Sequence, residues 1–155
     1  LIPKKYKPSP QPNIMETKET PKIPRIIVGV LIYNDQGEIF LATCHKWKDR
    51  WVVPGGKLDW GETLHHCAKR EVKEETNMDI DEIELIGTQE SIFSEEFHEK
   101  KHMVFMDFSA KAITKDIVLN EELQEYKWIK PEDALELDLN PSTRLFIERF
   151  IAKKK

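Results

Sequence analysis

Gly56-Lys57-Leu58-Asp59-Trp60-Gly61-Glu62-Thr63-Leu64-His65-His66-Cys67-Ala68-Lys69-Arg70-Glu71-Val72-Lys73-Glu74-Glu75-Thr76-Asn77-Met78 is the stretch on which the reading of this chain turns. From Thr63 the residues favour helix: Leu64, Ala68 and Val72 recur at every fourth position, with Cys67 beside them, and make an apolar stripe. On that helix Glu71, Glu74 and Glu75 stand at i, i+3 and i+4, so their carboxylates project toward one side while Val72 seats the helix on the core. Like charges at this spacing repel, at a cost of about a few tenths of a kcal/mol in an isolated helix. On an arbitrary helix the set would be a solvated face with Arg70 bridging Glu74. Gly56 and Glu62, at fixed distances upstream of the acidic run, turn the reading toward a ligand cluster.

The stretch resembles the Nudix box, G-x5-E-x7-R-E-U-x-E-E-x-G-U with U aliphatic. It matches every fixed position except the last glycine, which here is Asn77. That glycine would adopt a left-handed conformation at the helix end, and Asn is the next most tolerant residue there. The likeness is firm over the box and looser from about Pro24 to Ile151. It implies an α/β fold, the Nudix α/β/α sandwich with a mixed central sheet between helices, and an enzyme that hydrolyses nucleoside diphosphates linked to another moiety. It also implies Mg²⁺ or Mn²⁺, hard cations that take oxygen ligands and reach substrate phosphates. By resemblance Glu71, Glu74 and Glu75 are the metal ligands, joined by the backbone carbonyl of Gly55. Arg70 orients the carboxylates, and Glu62 positions the loop-and-helix unit; the plainer role for Glu62 is a contact capping the first turn. The implied reaction is attack of water on phosphorus with no covalent enzyme intermediate. The candidates for its base are the box glutamates, Glu122 and His98, the last in a polar loop where a solvated side chain is the plainer reading. His65 and His66 are read as surface residues away from the glutamates.

The bulk properties frame this reading. A chain of 155 residues supports one domain with a hydrophobic core. The net charge of −4 argues against a broad phosphate-binding surface, so no stable nucleic-acid partner is expected. Cys44 and Cys67 lack metal-site spacing and read as reduced thiols. The longest apolar run, Ile26 to Tyr33, is too short to span a bilayer, and the amino terminus carries no apolar signal-like stretch, so the expected location is the cytoplasm and no membrane partner is expected. Residues 1–24 hold Pro3, Pro8, Pro10, Pro12, Pro21 and Pro24 and are expected to form an extended arm, with residues 25–155 as the single domain.

Along the domain, Ile26–Tyr33 and Ile39–Thr43 read as buried strands joined by an Asn34-Asp35-Gln36-Gly37 turn, and Trp51–Val53 as a short strand stopped by Pro54-Gly55-Gly56. Further strands are expected at Ile83–Gln89, His102–Ala112 and Tyr126–Ile129, with a helical turn at Pro131–Leu135. A closing helix is expected after an Asn140-Pro141 cap, running to about Lys153 with Leu145, Phe146 and Phe150 inward.

The ADP-ribose, NADH and coenzyme A branches carry second signatures that are missing here. The stretch from Leu119 to Asp133, with Asp138-Leu139-Asn140 and Thr143-Arg144, resembles instead the bacterial branch that cleaves (deoxy)nucleoside triphosphates, preferably pyrimidine deoxynucleotides, to monophosphate and pyrophosphate. In it Glu122, and next Glu121, is the candidate for a downstream glutamate completing the metal site; a solvated loop acid is the plainer reading. Two other functions stay open at this point: a nucleotide-sugar hydrolase of the GDP-mannose kind with His98 as base, and a non-catalytic module that senses nucleotides or binds RNA or protein. Trp47, Trp51, Trp60, Phe93 and Phe97 are the aromatic candidates for base stacking. Family members commonly form homodimers, which nothing in this sequence demonstrates.

Overall fold

The computed structural model describes residues 22–114 and 116–155. The proline-rich arm expected for residues 1–24 lies outside these residues except for Lys22, Ile23 and Pro24, which form no helix or strand. The strands are β1 (Arg25–Tyr33), β2 (Ile39–Cys44), β3 (Arg50–Val52), β4 (Gly55–Lys57), β5 (Ile80–Ile92), β6 (His102–Ala112) and β7 (Tyr126–Ile129). The helices are α1 (Leu64–Thr76), α2 (Pro131–Ala134) and α3 (Pro141–Lys154), with a 3-10 turn at His45–Trp47 between β2 and β3.

All seven strands form one sheet in the order β3-β2-β1-β6-β5, with β4 beside β1 and β7 beside β2. The β1/β6 pair is parallel and the other pairs are antiparallel, which makes the sheet mixed. β1 is apolar on both faces because both faces are covered. Val28, Val30 and Ile32 pack with Cys67, Ala68 and Val72 of α1, while Leu31 packs with Phe146, Ile147 and Phe150 of α3. Helices on opposite faces of a mixed sheet make the α/β/α sandwich that the sequence implies.

Four details differ from expectation. Gly55–Lys57 is a strand, paired antiparallel with Ile27–Gly29, because β1 and β2 pair only at their hairpin end and leave that stretch of β1 unpartnered. The short strand before it covers Arg50–Val52 and stops one residue earlier than Val53. β5 runs well past Ile83–Gln89 at both ends, because its ladder with β6 continues across irregularities at Asp81/Glu84 and Leu85/Gly87. On α3, Leu145 is 36% exposed, and the inward positions are Thr143, Phe146, Ile147 and Phe150. Those positions follow the i, i+3, i+4, i+7 spacing of one helix face, and Leu145 falls off that stripe.

Candidate active site

Helix α1 is fixed at both ends by local chemistry. Thr63 caps its start, its side chain accepting from the His66 N–H at 3.1 Å. Asn77 ends it in the left-handed region at φ 63°, its N–H donating to the Lys73 carbonyl, so it performs the role of the missing glycine. Between these ends Cys67, Ala68, Val72 and Thr76 are buried.

The acidic face of α1 lies against β4. A Cβ on Gly56 would overlap the Glu71 carboxylate, and one on Gly55 would overlap the Val28 carbonyl oxygen. The Gly55 N–H donates to Glu75 Oε2 at 3.2 Å. Two glycines in succession thus let a strand and an acidic helix face approach at backbone distance.

Arg70 is the hub of the loop between them. Its Nε and Nη2 donate to the two oxygens of Glu62 at 2.6 and 2.9 Å, its Nη1 to Glu71 at 2.7 Å and to Glu74 at 3.3 Å, and its Nη2 also to the Lys57 carbonyl at 3.2 Å. The principal partner is therefore Glu62, not the Glu74 that helical spacing suggests. Bidentate geometry suits a guanidinium, and the pair ties the loop back onto the helix. Glu62 also accepts from the Asp59 N–H and meets His66 Nδ1 at 2.8 Å. This corrects two expectations: Glu62 binds side chains and its own loop instead of capping the first turn, and His66 touches a box glutamate. The Arg70 guanidinium holds the Glu62 carboxyl well below the usual carboxylate range.

Three carboxylates crowd behind this clamp. Glu75 is 4% exposed, and its pKa is raised well above the ordinary value by burial, with repulsion from Glu71 and Glu122 opposing the help of the Gly55 N–H. Glu71 is raised mainly by burial too, against Arg70, with Glu74 and Glu122 adding to the rise. Glu122 reaches the cluster because the Asn120 N–H donates to the Glu75 carbonyl at 3.1 Å and Asn120 Oδ1 accepts from the Glu122 N–H at 3.0 Å. Lys46 Nζ lies 3.2 Å from Glu122. Glu74 stands apart, its side chain 55% exposed. The His98 ring packs on Phe97 and lies 3.7 Å from Glu99, while its backbone N–H donates to the Lys46 carbonyl.

Among the described residues no three His, Cys, Asp or Glu side chains converge at closed metal-ligand spacing. The donor set nonetheless fits a hard divalent cation. It is all carboxylate, it includes a buried glutamate held by one backbone N–H, and the pKa values of Glu71 and Glu75 are raised by burial and by neighbouring carboxylates.

Gly55 also lines a pocket of about 80 Å³ beside the first turn of α3, with Trp47, Pro54, Gln89, Phe105 and Asp107 among its walls. Trp47 packs against Phe97 in a tilted arrangement, with ring centroids 4.7 Å apart. Of the other aromatic candidates, Trp60 is fully exposed and Phe93 is 53% exposed, while Trp51 lies under the Lys127 ammonium. Asp107 and Gln89 were missed as site residues from sequence. The signal available for Asp107 was an acid inside an otherwise apolar strand; Gln89 had none. Elsewhere Cys44 and Cys67 are buried free thiols, burial pushing Cys67 up to about 12. Among the described residues no helix is long and apolar enough to cross a membrane.

The family model of the NUDIX domain matches residues 23–150, and this chain belongs to the Nudix hydrolase family. The nucleoside triphosphatase NudI of Escherichia coli O81 (strain ED1a) is 30% identical over 132 residues, 77% of this chain and 92% of that protein. The NudI of Escherichia coli K12 is 29% identical over the same shares. Among solved structures, the MutT protein from Methanosarcina mazei Go1 matches with a TM-score of 0.70 at 30% identity, covering 86% of this chain and 97% of that one. A MutT NUDIX hydrolase from Burkholderia pseudomallei matches at 0.71 and 26% identity, covering 82% and 98%. Within the family this chain is a Nudix pyrophosphohydrolase, an enzyme acting on phosphoric anhydride bonds.

Proposed function

We propose that this enzyme cleaves a nucleoside triphosphate to monophosphate and pyrophosphate by attack of water on phosphorus, with Mg²⁺ or Mn²⁺ held by Glu71, Glu74, Glu75, Glu122 and the Gly55 carbonyl. One observation carries the reading: Gly55 borders both the carboxylate cluster, through its N–H to Glu75, and the pocket it lines, so a nucleotide seated in the pocket has its phosphates within reach of the acids. Resemblance to the nucleoside triphosphatases supports the triphosphate as substrate.

The cation, when bound, supplies positive charge for the pyrophosphate oxygens and makes water more acidic. The protein's own groups do the rest. Arg70 and Glu62 hold the loop rigid, Arg70 keeps the Glu71 carboxylate turned toward Gly56, and Glu75 is held by the Gly55 N–H. Glu71 and Glu75, whose burial favours holding a proton, and Glu122 beside them are the candidates to accept one from water. Lys46 balances part of the cluster's charge from the Glu122 side.

The test is a panel of nucleoside triphosphates, nucleoside diphosphates and nucleotide sugars with Mg²⁺ or Mn²⁺, with products identified and not merely phosphate counted. Equimolar monophosphate and pyrophosphate is the expected result; free sugar released from a nucleotide sugar, with triphosphates left intact, would overturn it.

A further inference from the structure

Asp107 occupies an unusual place in the sheet. Its register neighbours on both sides are glycines, Gly29 on β1 and Gly87 on β5. A Cβ on Gly29 would come within 3.1 Å of Asp107 Oδ1, and one on Gly87 within 3.1 Å of Arg149 Nη1. Across these three residues the only side chain is that of Asp107; Gly29 and Asp107 line the pocket, the Arg149 guanidinium lies against Gly87, and Asp107 is 2% exposed.

Gln89 completes the arrangement. It faces Phe105 across the β5/β6 ladder, and its Nε2 donates to Asp107 Oδ2 at 2.6 Å and to the Ser142 carbonyl at 2.9 Å. Both partners are acceptors, which fixes the amide's orientation and spends both of its N–H groups. Gln89 Oε1 and Asp107 Oδ1 are left as acceptors without a protein donor among the described residues. Asn140, a buried residue of the pocket lining, is committed through Oδ1 to the Thr143 N–H at 2.6 Å. Burial holds the Asp107 carboxyl up at about 6, against Gln89 and the Arg149 charge, so it is ionised at neutral pH.

A polar floor made of two acceptors, walled by Trp47 and Phe105, takes a flat ring that donates. We propose that Asp107 and Gln89 form a specificity pair that selects nucleotides whose base carries an exocyclic amino group over their oxo counterparts. An amino group presents two hydrogens to the two acceptors; a carbonyl in the same place sets lone pair against lone pair. A site built to hydrogen-bond one group rejects the analogue lacking it strongly, because its own polar atoms are then buried unpaired. The inference rests on the pocket being where the nucleotide's base sits.

The experiment compares matched pairs at pH 7.5: cytidine with uridine monophosphate and adenosine with inosine monophosphate, titrated onto the full chain without divalent cation and followed by tryptophan fluorescence or calorimetry. The amino member of each pair should bind at least about tenfold tighter. In Asp107→Asn, whose amide can turn a donor toward the ring, that ratio should collapse to about threefold or less, and Gln89→Met should reduce it as well. Equal binding of amino and oxo members in the wild type overturns the proposal, as does binding of none of them or an unchanged ratio in a folded Asp107→Asn. Triphosphate turnover is measured separately. Selective binding without pyrophosphate release supports the specificity pair and counts against the proposed reaction, whereas turnover indifferent to the amino group does the reverse.

Discussion

The Glu71 carboxylate fills the space where a side chain on Gly56 would begin. A glycine on a strand and a glutamate on the helix that follows it thus share one volume, and neither tolerates growth of the other. In Gly56→Ala the methyl group must push Glu71 away from the cluster and from Arg70. Turnover should fall about 100-fold, as expected for a displacement of about 1 Å at a reacting centre, while far-UV circular dichroism stays native. Full turnover in a folded Gly56→Ala would show that Glu71 is not needed where it stands.

Glu75 carries a related expectation with a readable sign. Its pKa is raised in the folded chain, so its contribution to stability is fully present below the unfolded carboxylate value and is lost as pH rises through the folded one. Glu75→Gln keeps an acceptor for the Gly55 N–H and removes the charge. Without metal the variant should melt about 3 °C or more above the wild type at pH 8, with the gap closing toward pH 4. Added Mg²⁺ or Mn²⁺ should raise the wild-type Tm and leave the variant's almost unchanged. Equal metal-induced shifts in both proteins would remove Glu75 from the ligand set.

Asp107 titrates in a window that can be isolated. Its pKa rises from 3.8 to about 6 on folding, through burial opposed by Gln89 and Arg149. Stability linked to it is present below about pH 4 and is lost as pH climbs through about 6, by at most about 3 kcal/mol. Asp107→Asn should therefore exceed the wild type in denaturant midpoint at pH 7.5 and match it at pH 4. A parallel pH dependence in the two proteins would place the perturbed titration elsewhere.

Asn77 makes a simpler prediction. At φ 63° a residue with a β-carbon pays the left-handed penalty, which Asn partly offsets with its side chain donating to the Asp116 carbonyl at 3.2 Å. Asn77→Ala should cost about 1–2 kcal/mol in urea unfolding, and Asn77→Gly should stay within about 0.5 kcal/mol of the wild type. Activity at 25 °C should survive both; a large loss in Asn77→Gly would give Asn77 a role beyond ending the helix.

The outline of the fold was legible because its signals are local. β1, β2, β6 and β7 announce themselves as apolar or alternating runs, and Asn140-Pro141 announces the start of α3. β4 was not legible. Gly55, Gly56 and Lys57 have no strand preference of their own, and they pair only because β1 presents an unpartnered stretch at Ile27–Gly29. Leu145 was misplaced for a similar reason: Leu145, Phe146, Ile147, Phe150 and Ile151 fit more than one stripe on α3, and the sheet beneath decides which is covered.

For the site the division is sharper. By itself the sequence determined the acidic helix, its stop at Asn77, the family, and that Glu71 and Glu75 share one helix face, because helical periodicity carries side-chain direction over a few residues; the same spacing grouped Glu74 with them, which the structure sets apart. Only the tertiary structure decided that Arg70 belongs first to Glu62, that Asn120 hangs Glu122 beside Glu75, and that Asp107 lies between two glycines with Gln89 against it. Those relations cross between elements. They depend on strand register and on where a helix end lands, quantities set by the packing of the whole sheet, and no local spacing in the chain encodes them.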